Sequence, residues 1–325
     1  MVRPAGKDLR RLPWRRALRG LPPAVCVLAA ATAVNCRCNE IDRAGSPAIH
    51  DVPAIRVLLT SAPVAEAVVG TTGGHWLKAG GRVLVETDEA LGPVKVRRKG
   101  AGWRIGPGYV EGGELVILPQ PGHYVRFGET SYRGRLRLLP ADGGLIVINH
   151  LDVESYLAGV LSKELYRKWA PQTYRALAVA ARTFAMYHMI TFGARHEYDL
   201  GDTQASQVYG GLSGETERSW QAVRHTHGVV LAYGEPGSER IFMAQYSACC
   251  GGRVNGAYVI RNANRIPPLD GGQACDDCSA CSRYRWGPVR VAKSDIHRAL
   301  AARYGAVAAL GSLSAIRVRT TTPHG

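Results

Sequence analysis

Between Thr173 and Ile190 the chain carries apolar or small side chains almost all round, and a helix of that kind has no wet face to keep. It must be covered on every side, so the rest of the fold is expected to be arranged about it. Pro171 stands where a first helical turn tolerates proline. Ala176, Ala178, Ala180 and Ala181 leave room for other elements to approach the backbone. Upstream, Leu151, Tyr156, Leu157, Val160 and Leu161 recur at helical spacing, and Asp152 with Glu154 supplies the carboxylates that a helix start favours. The segment from Asn149 to Ile190 therefore predicts two helices with a short break, Glu164 closing the first beside the core.

What precedes this pair is of another kind. From Val52 to about Val147 short β-rich runs (AIRVLLT, GRVLVET, PVKVRR, GELVILP, YVRFG, GRLRLLP, LIVINH) alternate with glycine-rich turns. The ADGG between the last two runs is a hairpin signal. With 38 Gly and 18 Pro in 325 residues, the chain suits a strand- and loop-rich protein. The fold class read here is α+β: a β-rich N-terminal region over 52–125, then a core over 126–325 with a buried central helix. After Ile190 a polar passage encloses a short helix at Glu217–His225. Strands GVVLAYG and ERIFMAQYSA follow, then a tight turn CCGGRVNG, a cysteine-rich loop Cys275–Cys281, and a helix opened by Ser294 and stopped by Gly305. The final SLSAIRVRTTTPHG reads as a strand cut short, as in a truncated product.

The N-terminus is distinct again. Residues 1–38 hold eight Lys or Arg against one acid, Asp8, a balance of +7, while the remainder carries about +8 of the formal +15. The basic run to Arg19 and the apolar Leu21–Val34 read together as a signal peptide or N-terminal membrane anchor. The chain is then expected to work outside the cytoplasm, in the periplasm or cell envelope. A mature part this basic suits an anionic partner. No compact Lys/Arg stripe interleaved with aromatics is present, so no nucleic-acid partner is expected.

Residues 126–290 resemble the stage II sporulation protein D family (SpoIID/LytB, amidase enhancer). The matching segments are SYRGRLRLL, LIVINHLDVESYLAGVLSKEL, ALAVAARTFAMYH, DTQASQVYGG, YSACCGG and the cysteine-rich loop before RYRW, in that order over about half the chain. The resemblance implies an α+β fold and action on bacterial peptidoglycan. In catalytic members it implies lytic transglycosylation of glycan strands lacking stem peptides.

The family's YLxGVxxxE pattern falls on Tyr156, Leu157, Gly159, Val160 and Glu164, which makes Glu164 the implied catalytic acid. Glycosidic cleavage needs a proton on the leaving oxygen. When the sugar's own 6-hydroxyl attacks, the second carboxylate of ordinary glycosidases is dispensable. The competing reading pairs Glu164 with Lys163 or Arg167 on a solvated helix end. Glu154, in the first turn, suggests a dipole or capping role. Arg182 and Thr183 match the family's ART element; a buried arginine needs partners, so Arg182 either orders the cleft or binds substrate. Gln207, Tyr209, Tyr246 and Ser247 are candidate sugar contacts, with turn roles as the alternative.

Some family members hold zinc through one histidine and two cysteines ahead of the QVYGG element. Here His196 remains, but Gly201 and Ser206 stand where thiols are expected, and Asp199 and Asp202 have no zinc spacing, so that metal is not carried over. The cysteines Cys249, Cys250, Cys275, Cys278 and Cys281 form a separate group. In an exported chain the favoured reading is a disulfide joining Cys249 or Cys250 to the later loop; structural zinc on Cys275, Cys278 and Cys281 is the alternative. His150, His188, His225 and His227 form no metal or nucleophile pattern and are taken as structural.

The resulting expectation is a peptidoglycan lytic transglycosylase acting through Glu164. The alternative is a non-catalytic wall-binding enhancer of an N-acetylmuramoyl-L-alanine amidase.

Overall fold

The computed structural model describes residues 52–257, 265–282, 284–285 and 287–317. The predicted export segment, residues 1–38, lies outside them. They fall into two units divided between Ala244 and Gln245, a boundary inside the span read from sequence as one core.

In the first unit twelve strands precede the first helix: β1 (Ala54–Leu58), β2 (Ala67–Thr71), β3 (His75–Ala79), β4 (Arg82–Thr87), β5 (Val94–Lys99), β6 (Gly102–Ile105), β7 (Gly108–Glu111), β8 (Leu115–Pro119), β9 (Val125–Phe127), β10 (Thr130–Tyr132), β11 (Arg135–Ala141) and β12 (Gly144–Asp152). Helices α1 (Val153–Glu164) and α2 (Pro171–Phe192), strand β13 (Leu200–Gly201), helix α3 (Glu217–His225) and the short strands β14 (Ala232–Tyr233) and β15 (Arg240–Ile241) complete it. The expected α+β class is what the structure has.

A seven-stranded sheet runs in the order β13-β1-β12-β11-β8-β3-β4, and a six-stranded sheet in the order β10-β9-β2-β5-β6-β7. Alternation places Ile55, Val57, Leu115, Ile117, Leu136, Leu138, Leu145 and Val147, all fully buried, on inward positions of the first sheet. The ADGG hairpin forms as expected: Ala141 pairs with Gly144, and Gly143 takes φ +84°, which only glycine adopts freely. Strands β2, β3, β6, β7 and β10 were not legible in the sequence. They are three to five residues long, and Gly70, Gly102 and Gly108 lie in segments read as turns.

The helical pair forms, but burial is distributed differently from the expectation. Nine consecutive residues of α1, Val153 to Leu161, are buried, whereas Gln172, Arg175 and Ala176 of α2 face solvent and its fully buried stretch is Ala181–Met186. The helix covered all round is thus α1. Its start is continuous with β12: Asp152 ends the strand and caps the helix, its Oδ1 accepting from the Ser155 amide at 2.8 Å. The predicted α3 forms with Thr216 and Ser219 in a capping box. The two long strands expected after it shrink to two-residue pairs at Ala232–Ile241 and Tyr233–Arg240.

The second unit contains helix α4 (Lys293–Arg303) and a single helical turn at Gly305–Ala308. Ala292 rather than Ser294 precedes α4, without a side-chain cap, and Tyr304 rather than Gly305 ends it. Residues 312–317 form no strand. No helix among the described residues is long and apolar enough to cross a membrane.

Candidate functional site

Glu164 ends α1, half-buried. Its Oε1 accepts a 2.8 Å hydrogen bond from the Val208 amide, and among the described residues it makes no ion pair. Lys163 and Arg167 are exposed, so the solvated ion-pair reading does not describe this end of the helix.

The donor comes from the loop 206–214, laid across α1 and held there at successive points. Gly210 N–H donates to Gly159 O at 3.1 Å, and the Ser162 hydroxyl donates to Gly214 O. Tyr209 rests on Tyr156, ring centres 5.1 Å apart, and on Tyr132 at 5.7 Å, while its hydroxyl donates to Asn149 Oδ1 at 2.9 Å. The approach requires glycine in the helix: a Cβ at Gly159 would lie 2.6 Å from the Tyr209 ring. Desolvation, with smaller contributions from Tyr132 and Glu215, pushes the Tyr209 hydroxyl well above its ordinary range, so it remains a donor.

These contacts correct the roles suggested for the loop polars. Gln207 and Tyr209 are buried, and Gln207 is held by the Tyr156 hydroxyl at 3.1 Å and by Ala181 O at 3.4 Å. Both residues set the position of the Val208 amide; neither faces solvent as a sugar contact would. Arg182, also buried, is turned inward: Nε and Nη2 donate to Glu154 Oε1 and Oε2 at 2.8 and 2.6 Å, and Nη1 to Val229 O at 2.9 Å. Glu154 therefore neutralises a core arginine and does not serve as a cap. Thr183 donates to Val179 O at 2.7 Å and accepts from the Leu231 amide at 2.8 Å. Asn149, which the sequence reading left without a role, anchors Tyr209. Its signal was a lone amide in the apolar run LIVINH.

Residues 141–233, which span β12, α1, α2 and this loop, match the family described as Stage II sporulation protein, SpoIID. The chain carries a SpoIID domain over these residues. The match supports a role connected with sporulation or the cell wall. An uncharacterized protein of Brachyspira hyodysenteriae is 34% identical over 153 residues, which cover 46% of this chain and 39% of the relative. The chain thus spans about two fifths of the curated relative it matches. No solved structure matches.

The passage of the SpoIID domain where other members hold zinc does not fit the ion here. The Gly201 amide donates to Ser206 Oγ at 3.2 Å, so a glycine and a hydroxyl meet where thiols would be needed. Asp199 is committed to Arg56, Oδ1 2.7 Å from Nη2 and Oδ2 2.8 Å from the amide. His196 is exposed and packs near Tyr198. Desolvation raises the Asp202 carboxyl against an opposing backbone hydrogen bond.

Of the remaining histidines of the SpoIID domain, His225 and His227 are exposed, while His150 and His188 are partly buried. His150 is pushed down to about 4 by desolvation first and then by Arg135, Arg137 and Arg56. The His188 ring packs tilted against those of Phe184 and Phe192, ring centres 4.4 and 5.3 Å away. A concavity of about 240 Å³ opens at the other end of α1, lined by Tyr124, Arg133, Asp152 and Ser155 among others. Arg133 there is paired to Glu215 at 2.7 Å, and its guanidinium lies 5.3 Å from the Tyr124 ring and 5.1 Å from that of Trp220.

Tyr246 and Ser247 lie in the second unit, both exposed. Beside them Cys249, Cys250, Cys275 and Cys278 are free thiols, so the expected disulfide from Cys249 or Cys250 to the later loop is not formed. Cys278 Sγ lies 3.3 Å from Cys249 Sγ and 3.5 Å from Cys250 Sγ. The hydrogen bond from Cys249, with the Cys250 amide, holds the Cys278 thiol below the usual range.

Proposed function

We propose that the chain cleaves peptidoglycan glycan strands as a lytic transglycosylase, with Glu164 as acid and then base. The observation that carries this reading is the state of Glu164: a half-buried carboxylate at a helix end, without a cationic partner among the described residues, fixed through one oxygen by a backbone amide. Oε1 is oriented by Val208 N–H, and Oε2, which has no hydrogen-bond partner among the described residues, is left for the chemistry. Protonated Glu164 gives its proton to the glycosidic oxygen as the C1–O bond breaks. The 6-hydroxyl of the same N-acetylmuramic acid residue attacks C1 and returns its proton to Glu164. A 1,6-anhydro end is formed, the leaving sugar carries the new hydroxyl, and the enzyme regains its starting state.

The same reading places the protein outside the cytoplasmic membrane, delivered or held there by residues 1–38, with the anionic wall as partner of its basic mature part. A digest of stem-peptide-free glycan strands by the chain and by a Glu164→Gln variant, scored by mass spectrometry for anhydro ends, tests it. Anhydro products from the first and none from the second support the assignment. Equal product from both removes Glu164 from the chemistry.

One observation favours the second reading, a non-catalytic enhancer of an N-acetylmuramoyl-L-alanine amidase. The concavity that carries aromatic and guanidinium groups lies near Asp152, roughly 18 Å along α1 from Glu164 at about 1.5 Å per residue. Strand binding without cleavage, together with stimulation of a purified amidase, would establish it.

A further inference from the structure

Independently of what Glu164 does, the second unit carries a chemistry of its own. Two chain segments are drawn together there by backbone pairing: Val254 N–H donates to Gln273 O at 3.0 Å, Gly272 N–H to Val254 O at 2.7 Å, and Cys275 N–H to Gly252 O at 3.0 Å. The first segment turns at Gly251 and Gly252, φ +69° and +103°, just after Cys249 and Cys250. The second coils back on itself, Ser279 N–H to Asp276 O and Cys281 N–H to Cys278 O, both at 2.9 Å. These turns aim sulfurs at one point.

The sulfurs of Cys250, Cys275 and Cys278 all lie within 4.8 Å of one another, and that of Cys249 approaches Cys278 to 3.3 Å. Four thiolates around a zinc ion at about 2.3 Å each stand roughly 3.8 Å apart, so the observed separations are those of a ligand set more than of bonded sulfurs. Cys281, which the sequence reading included, is not in the close group.

The surroundings give this cluster a reason to exist. Among the described residues from Gln245 onward, Ala257 is the one buried apolar residue, while Val254, Val289, Val291, Tyr304, Leu310 and Ile316 are each 40% or more exposed. Helix α4 buries none of its side chains. A module of this size without a core commonly depends on a crosslink or an ion for its stability.

We propose that Cys250, Cys275 and Cys278 bind a structural zinc ion, with Cys249 supplying the fourth thiolate. Binding releases the four thiol protons, and no redox change is involved. The ion fastens the turn after Cys250 to the Cys275–Cys281 loop, doing for this unit what the apolar core does for the first.

The full-length chain, purified without chelator, is expected to hold about one zinc per chain by elemental mass spectrometry. Cobalt(II) should replace it and give the visible bands and thiolate charge transfer of a tetrahedral sulfur site. Replacing Cys26, Cys36 and Cys38 with Ser is expected to leave the ion in place, as is Cys281→Ser. Cys250→Ser, Cys275→Ser or Cys278→Ser should lose it, and Cys249→Ser should alter the cobalt spectrum. The proposal is overturned if the wild-type chain carries no zinc and takes up no cobalt, or if non-reducing peptide mapping finds Cys249 or Cys250 bonded to the later loop. Retention of the ion by Cys278→Ser overturns it equally.

Discussion

Arg182 and Glu154 meet two-pronged inside the core, their side chains 1% and 9% exposed, so α2 is joined to the first turn of α1 by a charge pair out of reach of solvent. Removing one partner of such a pair strands the other, a loss of about 3–5 kcal/mol. Glu154→Gln and Arg182→Met should each lower unfolding free energy by that order in denaturant titrations. The double variant should cost far less than the two losses added. Additive losses would show that the residues do not act as a pair.

Gly159 is the next point of sensitivity. A methyl group there meets the Tyr209 ring at 2.6 Å and Gly211 O at 3.1 Å, and helix propensity would otherwise favour alanine. Gly159→Ala is expected to destabilise by about 1–3 kcal/mol through overpacking and to loosen the loop that carries the Val208 amide. A gain in melting temperature would mean that the loop moves aside without cost.

Glu164→Gln should behave in the opposite way. The amide side chain keeps an oxygen for the Val208 N–H and breaks no ion pair, so stability is expected to stay within about 0.5 kcal/mol. Formation of anhydro ends should fall by at least about 100-fold, the usual scale of a lost general acid. A stable variant with undiminished turnover would rule out the transglycosylase mechanism written above.

His150 makes the first unit sensitive to acid. Its folded value of about 4 lies below the ordinary 6.5, so the unfolded chain takes up the proton first. The stabilisation is fully present above about pH 6.5 and is lost as pH falls from there towards 4. The melting temperature should drop across that window more steeply for the wild type than for His150→Gln. Parallel slopes would assign the acid sensitivity to other groups.

Asp152 offers a smaller effect of known sign. Its carboxylate accepts from the Ser155 amide, and Asp152→Ala is expected to cost about 1 kcal/mol as an ordinary lost cap, measured by chemical denaturation. A neutral result would mean that β12 alone holds the helix start.

Much of this arrangement could be read before any coordinates, because its signals are local. The helix start at Asp152, Pro171 at the head of α2, the Asp-Gly hairpin and α3 all depend on neighbours within a few residues. What escaped depends on distance. Glu154 looked like a helix-start carboxylate because Arg182, 28 positions away, cannot be paired with it from spacing alone. Gln207 and Tyr209 looked like surface turn polars because burial is decided by α1 and α2. The cysteines were grouped by their two-residue spacing, whereas the fold selects Cys250 over Cys281. The short strands β6 and β7 carry too few residues to show a period.

Strand β1 decides how portable the SpoIID domain is. It lies between β12 and β13, antiparallel to one and parallel to the other, yet it belongs to residues 54–58, far upstream of the matched segment 141–233. Excising the matched segment by itself would strip the backbone partners from β12, the strand that runs into α1, and leave an open edge ready to pair with other chains. A fragment meant to keep Glu164 in place must therefore begin before Ala54. Within the first unit, what reads as an upstream accessory is a structural part of the strand platform behind the candidate acid.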